Sequence, residues 1–81
     1  MSITIISSDE NIHFSIICHY KDNFSKIEEL LYNKYPQYKN YNNCFFLKGK
    51  IIEKNNNLEN NNIKDNDIII IQSKIEKNFE N

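Results

Sequence analysis

The chain contains one proline, Pro36, and one glycine, Gly49, and its apolar residues change period around them. Ahead of Pro36, the residues Phe24, Ile27, Leu30, Leu31 and Tyr35 recur at three- and four-residue steps, which gathers them on one helical stripe. Before that stripe the period is two. Ile3-Thr4-Ile5 alternates, and between Ile12 and Cys18 one face carries Phe14, Ile16 and Cys18 while the other carries His13, Ser15 and Ile17. The polar stretch Ser7 to Asn11 between them predicts a hairpin.

Proline lacks the N–H a helix needs and disfavours helical geometry at the residue before it, so the helix should end at Tyr35. Its start is open by a turn: Asp22 or Asn23 can cap the free N–H groups, and Ser25-x-x-Glu28 offers a capping box further on. A loop rich in tyrosine and asparagine follows. The spacing then predicts a strand over Cys44 to Leu47, a turn at Lys48-Gly49 because glycine tolerates positive φ, a return over Lys50 to Ile52, and a last strand over Ile68 to Ser73. Two strands, a helix, two short strands and a final strand make an α+β chain with one helix on one face of a mixed sheet.

With 81 residues this is one small domain, and such a domain buries only about 60% of its unfolded surface. Strong apolar positions are therefore read first as core. Hydrophobic residues are 40% of the chain and its net charge is −1, too apolar a mixture for disorder. No arginine, alanine, valine or tryptophan occurs, and isoleucine, asparagine and lysine dominate, the set that adenine- and thymine-rich codons supply. The asparagine runs 55–57 and 60–62 are read accordingly as polar loop.

The charge balance argues against a nucleic-acid protein, because phosphate binding needs clustered cations and Lys48 with Lys50 is the densest pair. The longest apolar run, Ile68 to Ile71, is far below the roughly 18 residues of a membrane span, and no secretory signal opens the chain. A soluble, intracellular protein, cytoplasmic or nuclear, is expected. Cys18 and Cys44 are expected as free thiols.

The soft ligands are His13, Cys18, His19 and Cys44. His13 and His19 share strand parity but lie about 20 Å apart at ~3.3 Å per residue, and Cys18 points to the other face, so no metal site is expected. Cys18 and His19 are sequence neighbours that face away from each other on a strand, which denies them a nucleophile–base geometry. Cys18 reads as a small core residue and Cys44 as an outward strand residue. With no paired acids, phosphate loop or cofactor fingerprint, the chain is expected to be neither an enzyme nor a cofactor protein.

The pattern apolar-apolar-apolar-x-Gly-Lys at Phe45 to Lys50, and the segment Leu58-Glu-Asn-Asn-Asn-Ile63-Lys-Asp-Asn-Asp67 before the last strand, resemble the second half of a ubiquitin-like domain. With the hairpin and helix the resemblance covers residues 2 to 73. It implies a β-grasp fold, ββαββ with a 3-10 turn before the last β-strand, over residues 1–73, followed by a polar tail over 74–81. It further implies that Leu58 and Ile63 anchor the loop beneath the sheet. The first and third strands would flank the fifth, with Ile3, Ile5, Phe45, Leu47, Ile69 and Ile71 inward.

That parity turns Phe46, Ile70, Ile6 and Ile68 outward as an apolar patch rimmed by Lys48, Lys50 and Gln72, where the family presents a receptor-binding surface. Gln72 stands where ubiquitin has an apolar patch residue, and the polar Asp9-Glu10 turn replaces an apolar loop tip. The partner, a protein, would be ubiquitin-receptor-like or dedicated, and the chain itself a monomer. The alternative surface is the edge strand 12–18, lined by Ile17, to which family members similar to the small ubiquitin-like modifier add an extended peptide and others pair a small GTPase.

Conjugating members end in a diglycine. No glycine follows Gly49 in this sequence, so the resemblance implies a non-conjugating type and argues against a sulfur carrier. Ile75 and Phe79, four residues apart, could form a short amphipathic turn, although a frayed end is the more expected state.

Overall fold

A computed structural model describes residues 1–74; Ile75, Phe79 and the rest of the tail lie outside the described residues. The elements are β1 (Ser2–Ser7), β2 (His13–Ile17), α1 (Phe24–Lys34), a 3-10 turn (Pro36–Tyr38), β3 (Asn42–Leu47), β4 (Lys50–Ile51) and β5 (Ile68–Lys74). They form one mixed sheet of order β2-β1-β5-β3-β4. β1 and β5 run parallel at its centre and every other pair is antiparallel. This is the α+β β-grasp layout, with β5 reaching one residue past the expected boundary.

Alternation decides the faces. Ile3, Ile5, Phe45, Leu47, Ile69 and Ile71 point to the helix and are buried, joined by Phe24, Ile27 and Leu31 from α1 and by Ile12, Ile52, Leu58 and Ile63 from the connections. Phe24 meets Phe45 edge-on at 4.9 Å between ring centroids, a geometry that aromatic quadrupoles favour. Leu30 and Tyr35 sit on the shoulder of the helical stripe and are half-buried.

Asn23 is the helix cap: its side chain accepts from the Ser25 N–H at 3.0 Å. The Ser25–Glu28 capping box does not form. The Ser25 hydroxyl donates to Asn23 instead, and Glu28 accepts from Tyr32 at 2.6 Å and from Lys54 at 3.0 Å. The first-turn N–H groups of Phe24 and Ser25 donate to the carbonyls of Asn56 and Lys54, so the loop before β5 closes the helix end.

In that loop the asparagines do more than fill space. Asn61 accepts from the Glu53 N–H and donates to the Glu53 and Asn57 carbonyls, while Asn62 and Asn66 take positive φ, which asparagine tolerates better than most residues. Between β4 and β5 the chain advances by turns such as Asn61 N–H to Leu58 C=O. The 3-10 turn lies instead at Pro36–Tyr38, where proline occupies the first position.

The β3–β4 hairpin turns on Lys48 at φ 52° and Gly49 at φ 80°. Two consecutive positive φ values are those of a type I′ turn, whose twist matches the strands it joins. A Cβ at Gly49 would meet nothing within 4 Å, so its requirement is conformational. Lys48 carries the same conformation without that freedom, which periodicity gave no reason to expect.

A buried polar network ties the elements at the far end of the sheet. Asn43 is 2% exposed; it donates to the Tyr32 hydroxyl at 2.6 Å and to the Tyr38 carbonyl at 2.8 Å, and accepts from Ser73. Burial, reinforced by the bond to Glu28, pushes the Tyr32 phenol well above its ordinary range. No buried side-chain nitrogen or oxygen among the described residues lacks a partner.

Candidate functional site: the uncovered face of the sheet

The helix covers one face of the sheet and leaves the other open. On that open face the strand registers place five residues side by side. Ile6 pairs with His13 on β2 and with Ile70 on β5; Ile70 pairs with Phe46 on β3; and Phe46 pairs with Ile51 on β4. Directly paired residues on neighbouring strands lie close enough for side chains to touch, so His13, Ile6, Ile70, Phe46 and Ile51 make one band from edge to edge. A second row, Ser15, Thr4 and Ile68, flanks it on one side, and the pair Gln72 and Cys44 on the other.

Exposure grades across the band. Ile6, Ile70 and Phe46 are half-buried by their neighbours, whereas Ile68 and Ile51 are 56% and 53% exposed. Fully burying an isoleucine side chain gains about 1.5–3 kcal/mol, so covering Ile68 or Ile51 would gain about half that each.

Of the rim expected from sequence, Gln72 lies beside Cys44 on the open face, and Lys48 sits in the hairpin turn at the end of β3. Lys50 does not belong to the rim. It pairs with Leu47, which is buried beneath the sheet, so Lys50 shares the helix-side parity. Ile51 takes the place beside Phe46. The type I′ turn causes this: its two residues pair Leu47 with Lys50 and Phe46 with Ile51, so the even positions that face outward on β3 give way to odd ones on β4.

Lys48, Lys50, Ile51 and Lys64 line one shallow cleft at the β4 end of the band, of about 580 Å³. A cleft of about 520 Å³ adjoins the other side, lined by Asp9, Cys44, Phe46, Gln72 and Lys74 among others. The three ion pairs among the described residues, Lys21 with Glu59, Lys26 with Asp22 and Lys54 with Glu28, involve none of these lysines.

The chemistry-bearing residues do not converge. His13 and His19 are both exposed, His19 stacking on Tyr20 at 4.7 Å, and no group of three or more metal-ligating side chains occurs among the described residues. Cys18 and Cys44 are half-buried free thiols, and burial pushes the Cys18 thiol up, away from the reactive thiolate. No helix among the described residues is long and apolar enough to cross a membrane.

The β2 edge of the sheet has a feature of its own. Cys18 and Met1 exchange backbone bonds, and the Ser7 N–H donates to Ile12, so Ile12, Phe14, Ile16 and Cys18 direct their peptide groups at β1. His13, Ser15 and Ile17 direct theirs outward. The Tyr35 hydroxyl occupies those of His13, accepting from its N–H at 3.3 Å and donating to its carbonyl at 3.2 Å. Pro36 is the local cause: it holds Tyr35 at φ −125°, ψ 68°, outside the helix and against this edge.

No protein-family model matches the chain, and none of the curated proteins compared with it is similar in sequence.

Proposed function

We propose that this chain is a non-conjugating, ubiquitin-like interaction module of the cell interior, and that it presents the band Ile6, Ile70, Phe46 and Ile51, with Ile68 beside it, to a protein partner. The observation that carries the reading is the unbroken register of these side chains across four strands of an uncovered face. A soluble domain that leaves a phenylalanine and four isoleucines adjoining on one surface has a binding site there more often than not. Lys48, in the turn at the end of β3, favours a partner whose apolar surface is bordered by an acidic side chain there.

Amide chemical-shift mapping against a panel of ubiquitin-binding domains tests this. Perturbations should centre on Phe46, Ile70 and Ile51, and Phe46→Ala should weaken binding at least tenfold with the fold unchanged. Binding that ignores that substitution removes the site. A second reading, strand addition at β2 by an extended peptide or a small GTPase, is favoured by the outward peptide groups of Ser15 and Ile17 and would confine perturbations to residues 12–18.

A further inference from the structure

The two edges of the sheet are protected very differently. β4 is two residues long and its hairpin carries Lys48 and Lys50, both features that discourage pairing with another chain. β2 is five residues long, His-Phe-Ser-Ile-Ile, with no lysine, arginine, acid or proline in it. Ile17 on this strand is 85% exposed, and no group among the described residues hydrogen-bonds the outward N–H or C=O of Ser15 or Ile17. Among the described residues the single protection is the Tyr35 hydroxyl on His13.

We propose that β2 pairs antiparallel with β2 of a second copy of this chain, Ser15 opposite Ser15, and that Tyr35 is the latch that limits this pairing. The register follows from the peptide groups. Only His13, Ser15 and Ile17 offer outward donors and acceptors, and a two-fold arrangement that uses all three must centre on Ser15. Ser15 then exchanges two bonds with its counterpart, and His13 of each copy exchanges two with Ile17 of the other.

The side chains suit the same register. Exposed Ile17 comes opposite the imidazole of His13, and half-buried Phe14 opposite half-buried Ile16, which extends the apolar layer under both sheets. The strand itself carries no fixed charge and so offers nothing by which to select a charged foreign strand, while the Lys34 ammonium, 6.0 Å from the Phe14 ring centroid, keeps self-pairing weak. His13 is the one position already occupied: its pairing requires the Tyr35 hydroxyl to leave. Association is therefore weak and concentration-dependent. The inference rests on the edge, independently of the apolar band on the open face.

Sedimentation of the full 81-residue chain over micromolar to millimolar concentration, with reductant present so that Cys18 and Cys44 cannot cross-link, tests it. A reversible monomer–dimer equilibrium is expected. Ile17→Lys, at a site too exposed to disturb folding, should abolish the dimer, and Tyr35→Phe should tighten it about fivefold by freeing the His13 peptide groups. A chain monomeric throughout that range overturns the proposal. So does a dimer that survives Ile17→Lys, or one that is lost with Phe46→Ala while Ile17→Lys retains it, which would assign self-association to the open face instead.

Discussion

Isoleucines 69 and 70 are adjacent in the chain and chemically identical, yet one is fully buried beneath the sheet and the other lies on its open face between Ile6 and Phe46. Phe45 and Phe46 repeat the contrast on the neighbouring strand. In a chain so rich in isoleucine, residue type says little about role; parity along a strand says nearly everything. The helix-side face is held by packing from above. The open face is not, and its apolar content contributes far less to stability.

The largest expected difference between the faces is for a charge. Ile69→Lys places an unpaired ammonium in the core and should leave the domain unfolded, a cost above about 4 kcal/mol, whereas Ile70→Lys should fold normally. Circular dichroism of the two proteins distinguishes them, and two equally folded variants would break the comparison. Next is truncation: Phe45→Ala should cost about 3–5 kcal/mol in urea denaturation and Phe46→Ala less than about 1 kcal/mol. The same Phe46→Ala protein is the one that should lose its partner.

The polar network at the end of the sheet gives a smaller effect. Asn43→Ala removes the acceptor of the Ser73 hydroxyl and one donor each from the Tyr38 carbonyl and the Tyr32 hydroxyl, which keep the Tyr41 N–H and Glu28 as partners, and should cost about 1–3 kcal/mol. The smallest effect appears in alkali. Because the Tyr32 phenol is raised in the folded protein, the unfolded chain loses its proton first, near the ordinary tyrosine value of about 10. The stabilisation is complete below that pH and declines as pH rises above it. The stability gap between the parent protein and Tyr32→Phe should shrink in denaturation midpoints measured from pH 9 to 11.

Much of this was legible in the sequence because it is periodic. The alternation over Ile3 to Ile5 and Phe14 to Cys18 places the first hairpin, the apolar run Ile68 to Ile71 marks the last strand without sorting its faces, and the stripe ending at Pro36 places the helix. Leu58 and Ile63 were expected as loop anchors from the resemblance, and the structure buries both. The central part of the open band, Phe46 with Ile70 and Ile6, came from the resemblance to a known fold rather than from alternation, because these residues sit in continuous apolar runs.

What was not legible depends on register or on single hydrogen bonds. Ile51 rather than Lys50 faces outward because of a two-residue turn whose first member, Lys48, takes a conformation no propensity predicts for lysine. The capping box failed because Asn23 and the carbonyls of Lys54 and Asn56 supplied partners first. Reading the asparagine runs as loop was right in location, but codon usage hid that Asn61 organises the turns around it. The Tyr35 contact with His13 joins residues 22 positions apart and has no pattern to betray it.

β1 and β5 lie side by side at the middle of the sheet, with Asp65 and Asn66 bonded to the backbone of Ser2. β1 therefore waits for β5. Until Ile68 to Ile71 emerge, β1 has no inner neighbour, β3 has none either, and the helix has only half a surface to settle on. The sheet of this domain closes only when β5 is present, and a chain interrupted before residue 71 should be left with two hairpins and no strand to join them.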